Sequence, residues 1–401
     1  MPLPPSANHG TGTTWDLFCR VVDNHGDVGV CWRLAADLAS RGIAVRLWID
    51  DARALAWMAP AGRAGVEVLP WPATDSDVAR AWTDPAGVVI EAFGCGLPEP
   101  YLRYLADADR RSTAPVWINL EYLTAEPYAE RSHKLPSPRS AGTARGSTTW
   151  FFYPGFTTRT GGLLREPDLM QRLASFEPDT WLADHDIEPR PDERLVSLFC
   201  YANPNLPGLL RALAAHPTLL LTTPGHATEQ VEQTLAAAAK EVGGRPLLRT
   251  QAVPWLSQTG YDHLLWSCDL NFVRGEDSLV RAIWAGRPFV WQIYPQDDEA
   301  HAFKLAAFLA QMLASMDRPR ADSIRRVAWR WNGLDRSPVA TSTLPKTPEP
   351  DPWSALNSPA AMAAWNARCV SWRTELLDQT DLVTQLMGFV AARRSAKDAK
   401  I

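Results

Sequence analysis

The chain has 401 residues, more than a single hydrophobic core usually organises, so its length favours two domains and argues against a small binding module. Hydrophobic residues make up 46% and charged residues 21%, which is ordinary globular usage and excludes a largely disordered chain. The 40 Lys and Arg residues stand against 45 Asp and Glu residues, so the chain lacks the basic excess of a protein that binds nucleic acid.

The sequence shows neither a recognisable membrane or targeting segment nor a cysteine pattern typical of a disulfide or zinc site. No apolar stretch approaches the roughly eighteen residues of a membrane helix, and the opening segment lacks the basic and apolar regions of a signal peptide. We therefore expect a cytoplasmic protein without a membrane partner. The six cysteines form no C-x-x-C pair and lie near no histidine cluster. We expect them to be reduced core thiols rather than disulfides or zinc ligands.

The first half of the chain alternates short β-rich runs with amphipathic segments. In chain order, the predicted strands cover residues 15–22, 44–50, 66–71, 88–93 and 116–122. The predicted helices begin near Val30, Ala52, Asp75 and Tyr101. Such alternation forms βαβ units and a parallel sheet. Residues 124–149 are rich in Ser, Pro, Gly, Thr and Arg and are predicted to form a long surface loop.

The alternation restarts after an acidic, proline-containing segment, 179–193, which is predicted to be a linker. The second set of predicted strands covers residues 195–201, 218–223, 247–253, 270–273 and 289–294. The rest of the chain is predicted to be helical apart from the loop 337–352. The sequence thus predicts an α/β protein with two Rossmann-like domains facing across a cleft, where ligands commonly bind. The predicted domains are residues 1–185 and 186–370, and a C-terminal helix in 371–401 is predicted to pack back on the first domain.

The loop after the first strand carries two acids, Asp23 and Asp27, at the sheet edge where ligands bind. The loop lacks the G-x-G-x-x-G pattern of a dinucleotide site, although Asp50 after the second strand would suit one. Two negative charges repel a diphosphate, so we expect a cationic or proton-giving ligand here. One of the acids could instead cap the following helix. His25 is predicted to be a partly exposed loop residue without a catalytic role.

A second candidate site follows a strand of the second domain. It consists of Arg274, Gly275, Glu276, Asp277 and Ser278, which run into a helix. The free N–H groups and dipole of a helix start bind phosphate oxygens, so the segment predicts a diphosphate site with Ser278 in its first turn. Glu276 and Asp277 could accept hydrogen bonds from sugar hydroxyls, or they could only complement the helix dipole.

Residues at the ends of two other strands could complete a nucleotide pocket. Phe199 and Tyr201 end the first strand of the second domain, and Trp255 and Gln258 follow its third strand. Aromatic faces stack on a base while an amide reads its edge. Each aromatic residue taken alone belongs more often to the core, but their common position at one sheet edge favours binding.

Two Rossmann-like domains, with a nucleotide site on the second and acids on the first, look like a GT-B glycosyltransferase. Three uncommon segments narrow the resemblance. They are VDNHGDVGVCWRLA at 22–35, WINLEYL at 117–123 with EPYAERSH at 126–133, and NFVRGEDS at 271–278. In this order they are similar to the EarP family, the protein-arginine rhamnosyltransferases of elongation factor P.

The resemblance implies transfer of L-rhamnose from dTDP-β-L-rhamnose to one arginine of elongation factor P, which activates this translation factor. It also implies inversion at the anomeric carbon, without a metal or a cofactor. Asp27 would then be the proton acceptor, with Asp23 as its partner at the acceptor arginine. Residues 274–278 would hold the diphosphate and the sugar, and Glu276 would be important for activity.

The resemblance assigns the aromatic residues as well. Phe199, Tyr201 and Gln258 would line the thymidine pocket, together with Trp255, where the family pattern has phenylalanine. Two other functions stay open. The chain could be a GT-B transferase for another nucleotide sugar or acceptor, or a nucleotide-sugar-binding regulator without turnover. The paired aspartates argue against a regulator, because donor sensing gives them no role.

Overall fold

The computed structural model describes residues 14–22, 25–110, 114–238, 247–295, 300–344 and 351–398. The strands in these ranges are β1 (Trp15–Cys19), β2 (Val45–Ile49), β3 (Val66–Pro70), β4 (Val88–Ala92), β5 (Val116–Leu120), β6 (Pro136–Pro138), β7 (Thr148–Phe152), β8 (Arg194–Leu198), β9 (Thr218–Thr222), β10 (Leu248–Ala252), β11 (Leu270–Arg274) and β12 (Phe289–Gln292).

The helices in the described ranges fall into three groups along the chain. Those up to Asp184 are α1 (Gly26–Ser40), α2 (Leu55–Met58), α3 (Ala79–Thr83), α4 (Glu99–Arg110), α5 (Pro127–Ser132), α6 (Leu169–Ala174) and α7 (Pro178–Asp184). Those between the strands of the second half are α8 (Leu206–Leu213), α9 (His226–Ala238), α10 (Gln258–Ser267) and α11 (Gly275–Ala285). Those after the last strand are α12 (Ala300–Met312), α13 (Arg318–Trp331), α14 (Pro338–Thr343), α15 (Pro359–Leu377) and α16 (Leu382–Asp398).

The described strands form two sheets. The first has the order β3-β2-β1-β4-β5-β7-β6, and the second has the order β10-β9-β8-β11-β12. All neighbouring strands are parallel except β6, which pairs antiparallel with β7 at the edge of the first sheet. In the first sheet, β1, β2 and β4 are buried along their whole length, as expected for parallel strands with both faces covered. The predicted pair of α/β units with parallel sheets is confirmed.

Two segments differ from the prediction. The predicted loop 124–149 contains α5 and β6, and it ends on the first residues of β7, which pairs with β5. The turn-forming residues before β7 obscure its short strand pattern, TTWFF. The predicted linker 179–193 includes most of α7, whose first turn holds the proline that begins it. The loop and linker predictions were therefore wrong at these elements.

The last two helices pack on different cores. Trp372 and Leu376 of α15 lie in the hydrophobic core of the second sheet. Leu386 and Phe389 of α16 lie in the core of the first sheet. The chain therefore returns to the first sheet after α15 ends, while the domain boundaries at 185/186 and 370/371 stay predictions. No helix in the described part of the chain is long and apolar enough to cross a membrane.

Candidate active site

The starts of α1 and α11 meet in the cleft between the two sheets. Each helix follows a strand that ends at the cleft edge of its sheet, β1 for α1 and β11 for α11. Gly275 opens α11 with φ +66°, a left-handed conformation that favours glycine. A Cβ atom at Gly29 would lie 3.1 Å from Oδ2 of Asp277, so glycine in α1 lets the two helices approach closely. The unsatisfied N–H groups of two helix starts therefore belong to one cleft.

Two cavities lie side by side at this junction. The first, here called the aromatic cavity, is lined among the described residues by His25, Gly26, Trp57, Met58, Phe199, Thr223, Pro224, Pro254, Trp255, Leu256, Gln258, Tyr261, Arg274, Asp277, Ser278 and Arg281. The second, here called the acidic cavity, is lined by Val22, Gly26, Asp27, Val30, Phe93, Tyr122, Gly275, Glu276, Trp291, Ile293, Tyr294 and Lys304. Gly26 lines both cavities, so they adjoin at the start of α1.

All the predicted site residues in the described part of the chain, except Tyr201, line one of the two cavities. The aromatic cavity takes Phe199, Trp255, Gln258, Arg274, Asp277 and Ser278. The acidic cavity takes Asp27, Gly275 and Glu276. Asp23 lies outside the described residues. The structure therefore brings together the segments that the sequence placed on one edge of each sheet.

Arg274 is held by the aromatic residues that the sequence assigned to a nucleobase. Its guanidinium carbon lies 4.3 Å from the ring centroid of Phe199 and 4.3 Å from that of Tyr201. The backbone N–H of Tyr201 donates to the side-chain oxygen of Gln292 at 2.9 Å, which fixes the end of this strand. Phe199 lines the aromatic cavity. Tyr201 contacts Arg274 but does not line this cavity. A buried arginine with oriented ring contacts is suited to binding a phosphate.

Trp255 lies in an aromatic cluster that crosses the cleft. Its indole is half exposed. The ring centroids of Trp255 and Trp57 are 4.6 Å apart, and Trp57 lies on α2 of the first α/β unit. The ring of His25 contacts both indoles edge-on. Burial lowers the pKa of His25, and the positive charge of Arg274 lowers it further. Trp57 was not predicted from the sequence. Its one signal was its position after β2, which ends at the same edge of the first sheet as β1.

Gln258 and Ser278 use their polar groups within the protein. The side-chain amide of Gln258 donates to the carbonyl oxygen of Gly29 at 2.9 Å, across the cleft. The hydroxyl of Ser278 donates to the backbone carbonyl of Arg274, one turn earlier. Both residues therefore shape the aromatic cavity from its wall.

Asp277 belongs to an ion-pair network that joins the two sheets. Its Oδ1 accepts from Arg33 of α1 at 2.9 Å, and its Oδ2 accepts from Arg281 at 3.0 Å. Arg33 also donates to both carboxylate oxygens of Glu166, at 2.7 and 2.9 Å. Burial alone raises the pKa of Asp277, but the Arg281 and Arg33 guanidinium groups outweigh it and hold the pKa below its usual range. Asp262 completes the network with a 2.8 Å bond from Arg281.

The acidic cavity brings together two carboxylates from opposite sides of the cleft. Asp27 is 3% exposed, and its Oδ2 accepts from the backbone N–H of Val22 at 2.8 Å. Glu276 accepts from Nζ of Lys304 at 2.6 Å and from the backbone N–H of Leu123 at 2.8 Å. Burial raises the pKa of Glu276 and the charge of Asp27 adds to this, while Lys304 only partly offsets the rise. Lys304, on α12, carried no signal in the sequence.

The fold and this cleft define the protein class. Two α/β units with parallel sheets, whose helix starts face each other across a cleft lined by both units, form the GT-B glycosyltransferase fold. A glycosyltransferase from Rickettsia africae ESF-5 shares this fold with a TM-score of 0.51, at 8% sequence identity, over 96% of this chain and 99% of that one.

Comparison with known proteins gives the family. The model of the Elongation-Factor P (EF-P) rhamnosyltransferase family EarP matches residues 15–391. A protein-arginine rhamnosyltransferase of Pseudomonas aeruginosa is 40% identical over 407 residues, which cover 94% of this chain and 99% of the relative. A solved structure concerning EarP-mediated arginine glycosylation of translation elongation factor EF-P is 30% identical, with a TM-score of 0.62, over 94% and 99% of the two chains. The chain belongs to this family and is a glycosyltransferase, as the three sequence segments predicted.

Proposed function

We propose that this enzyme transfers L-rhamnose from dTDP-β-L-rhamnose to an arginine side chain of elongation factor P, in the cytoplasm, with inversion and without a metal or cofactor. The observation that carries the proposal is the pair of adjoining cavities. One presents two carboxylates, Asp27 and Glu276, and the other presents the buried guanidinium of Arg274. The names of the relatives support the same acceptor and the same sugar.

The acidic cavity suits an acceptor arginine. A guanidinium has a pKa above about 12 and delocalised lone pairs, so its nitrogen is a poor nucleophile until a base takes its proton. In our proposal the arginine enters beside Asp27, which orients a terminal nitrogen and accepts its proton as the new C–N bond forms. Asp23, four residues earlier in the sequence, would be its partner at the acceptor arginine, as the family resemblance implies.

The start of α11 suits the donor. Its free N–H groups and dipole would bind the diphosphate, together with Arg274. As the bond from the anomeric carbon to the diphosphate oxygen breaks, these preorganised groups would stabilise the leaving dTDP. The nucleoside would lie in the aromatic cavity, against Phe199 and Trp255 and near Gln258. A nitrogen that attacks from the opposite side of the sugar gives inversion in a single displacement.

Glu276 would connect the two halves of the reaction site. Its carboxylate accepts from a backbone N–H of the first unit and from Lys304 of the second, so it is anchored on both sides of the cleft. In our proposal the proton-accepting role belongs to Asp27, as the family resemblance implies. Glu276 would hold the sugar end of the donor and keep Lys304 in place.

The proposal is tested on the product. The purified protein is incubated with elongation factor P and dTDP-β-L-rhamnose, and with UDP- and GDP-linked sugars in parallel. Peptide mapping by mass spectrometry should locate one deoxyhexose on one arginine, and NMR should show the α-anomeric configuration that inversion requires. Modification only with a UDP or GDP donor would contradict the proposed donor, and a β-linked product would contradict the displacement.

A further inference from the structure

The acidic cavity has an aromatic wall that the proposed chemistry does not yet use. Phe93 follows β4 and Tyr122 follows β5, so both lie at the cleft edge of the first sheet. Their ring centroids are 4.4 Å apart with 10° between the planes, which is a close parallel stack. Both rings line the cavity that holds Asp27 and Glu276.

The backbone at Phe93 is strained in a way that fixes this wall. Phe93 has φ +58°, a left-handed conformation that a bulky residue seldom adopts outside functional sites. Its backbone N–H donates to the carbonyl oxygen of Leu120 at 2.7 Å, which ties the end of β4 to β5. The ring of this residue stacks directly against Tyr122.

The charges around Tyr122 favour a cation at its ring. The side chain is 38% exposed, so the stack presents Tyr122 on the open side and Phe93 behind it. Nζ of Lys304 lies 5.6 Å from the ring centroid of Tyr122, near the outer limit of a cation–π contact. Glu276 holds that ammonium at 2.6 Å. Aromatic faces attract guanidinium groups in particular, because the planar cation can lie flat on the ring.

We propose that the stacked rings of Phe93 and Tyr122 form the platform on which the acceptor guanidinium lies flat while Asp27 takes its proton. Tyr122 is then an acceptor-binding residue and Phe93 the residue that positions it. A flat platform selects a planar guanidinium over the compact ammonium of lysine, so the stack contributes to the choice of amino acid. This inference rests on the proposed arginine acceptor.

The test separates binding of the acceptor from binding of the donor. Tyr122→Leu removes the ring and should raise the KM for elongation factor P about tenfold, with a smaller change in kcat. Tyr122→Phe keeps the ring and should retain a KM near that of the wild type. The affinity for dTDP, measured by calorimetry, should be unchanged in both variants. Trp82→Leu is the matched control, because Trp82 is similarly exposed and packs against one tyrosine ring, Tyr104, on the same unit.

Each outcome decides one question. A wild-type KM in Tyr122→Leu would overturn the platform, and so would an equal loss in Tyr122→Phe, because the hydroxyl would then be the group that matters. Circular dichroism checks folding, and Phe93→Leu provides an independent variant, with an expected rise in KM of about threefold. If the wild-type protein itself leaves elongation factor P unmodified, the proposed function fails rather than the platform.

Discussion

Glu276 and Asp277 are neighbours in the first turn of α11, yet they lie in two different regions of the cleft. Glu276 faces the acidic cavity, where Lys304 and a backbone N–H hold it and burial keeps its pKa raised. Asp277 faces the ion-pair network, where Arg33 and Arg281 outweigh burial and keep its pKa low. Successive residues of a helix point about 100° apart, so adjacent carboxylates reach different partners.

Residue type alone does not decide the role of a carboxylate at this helix start. Both acids follow the same glycine and would complement the same helix dipole. Their surroundings separate them: Glu276 lines the acidic cavity, whereas Asp277 lines the aromatic cavity and joins the two units through the ion-pair network. The acidic cavity should therefore govern chemistry, the network should govern stability, and the aromatic cavity should govern donor affinity. Variants in each of the three regions test that division.

The largest effect is expected from Asp27→Asn in the acidic cavity. Asparagine can still accept the hydrogen bond from the Val22 N–H but cannot take the proton, so kcat should fall roughly 1,000-fold. The affinity for dTDP should stay within about a factor of two of the wild type. Asp77→Asn is the control, because Asp77 also accepts backbone hydrogen bonds but lies exposed before α3. Loss of dTDP binding with retained turnover would reverse the assignment of the two cavities.

The next effect concerns the network around Asp277. Arg33→Met leaves Glu166 and Asp277 without their shared cation, so the free energy of unfolding should fall by about 3–5 kcal/mol. Urea denaturation measures it. Arg320→Met, which breaks an exposed pair with Asp317, should change stability little. Equal effects of the two variants would show that the network does not stabilise the contact between the units.

Arg274→Ala tests the aromatic cavity. Removing a buried guanidinium that binds a diphosphate should weaken dTDP affinity about 10- to 100-fold, as expected for a charge-assisted hydrogen bond. The KM for the protein acceptor should change much less. Calorimetry with dTDP gives the first quantity, and Arg211→Ala, on the exposed face of α8, is the control. A loss confined to the acceptor KM would contradict the diphosphate site.

The smallest effect is a pH dependence of opposite sign for the two neighbouring acids. The pKa of Glu276 is raised by folding, so its contribution to stability is present below its ordinary pKa and lost as the pH rises through the folded value. Glu276→Gln should therefore gain stability relative to the wild type as the pH rises above the ordinary glutamate pKa of 4.5. Urea denaturation at several pH values measures the difference.

Asp277 should behave in the opposite way. Its pKa is lowered by folding, so its contribution is present above its ordinary pKa and lost as the pH falls through the folded value. Asp277→Asn should be less stable than the wild type near pH 7 and should approach it below about pH 4. Parallel pH profiles for the two variants would show that the two carboxylates do not differ in environment.

Local sequence patterns were sufficient to predict both sheets except β6 and β7, and the edge on which the site lies. Carboxyl ends of parallel strands meet at one edge of a sheet, so Asp27 and Glu276 could each be placed at a cleft edge from the sequence alone. The sequence could not predict the positions of Trp57 and Lys304 or the stacking of Phe93 on Tyr122. These contacts join segments that lie far apart in the chain. The position of Tyr201 at the end of a strand predicted a residue near the nucleotide site. In the structure its ring contacts Arg274 instead of lining the aromatic cavity.

The intact mass of elongation factor P tests the central claim most directly. After incubation with the wild-type protein and dTDP-β-L-rhamnose, the acceptor should gain the mass of one deoxyhexose. An acceptor whose modified arginine is replaced by lysine should gain nothing. An unchanged mass with folded components and bound dTDP would contradict the proposed reaction, and an equal gain on the lysine variant would contradict arginine as its acceptor.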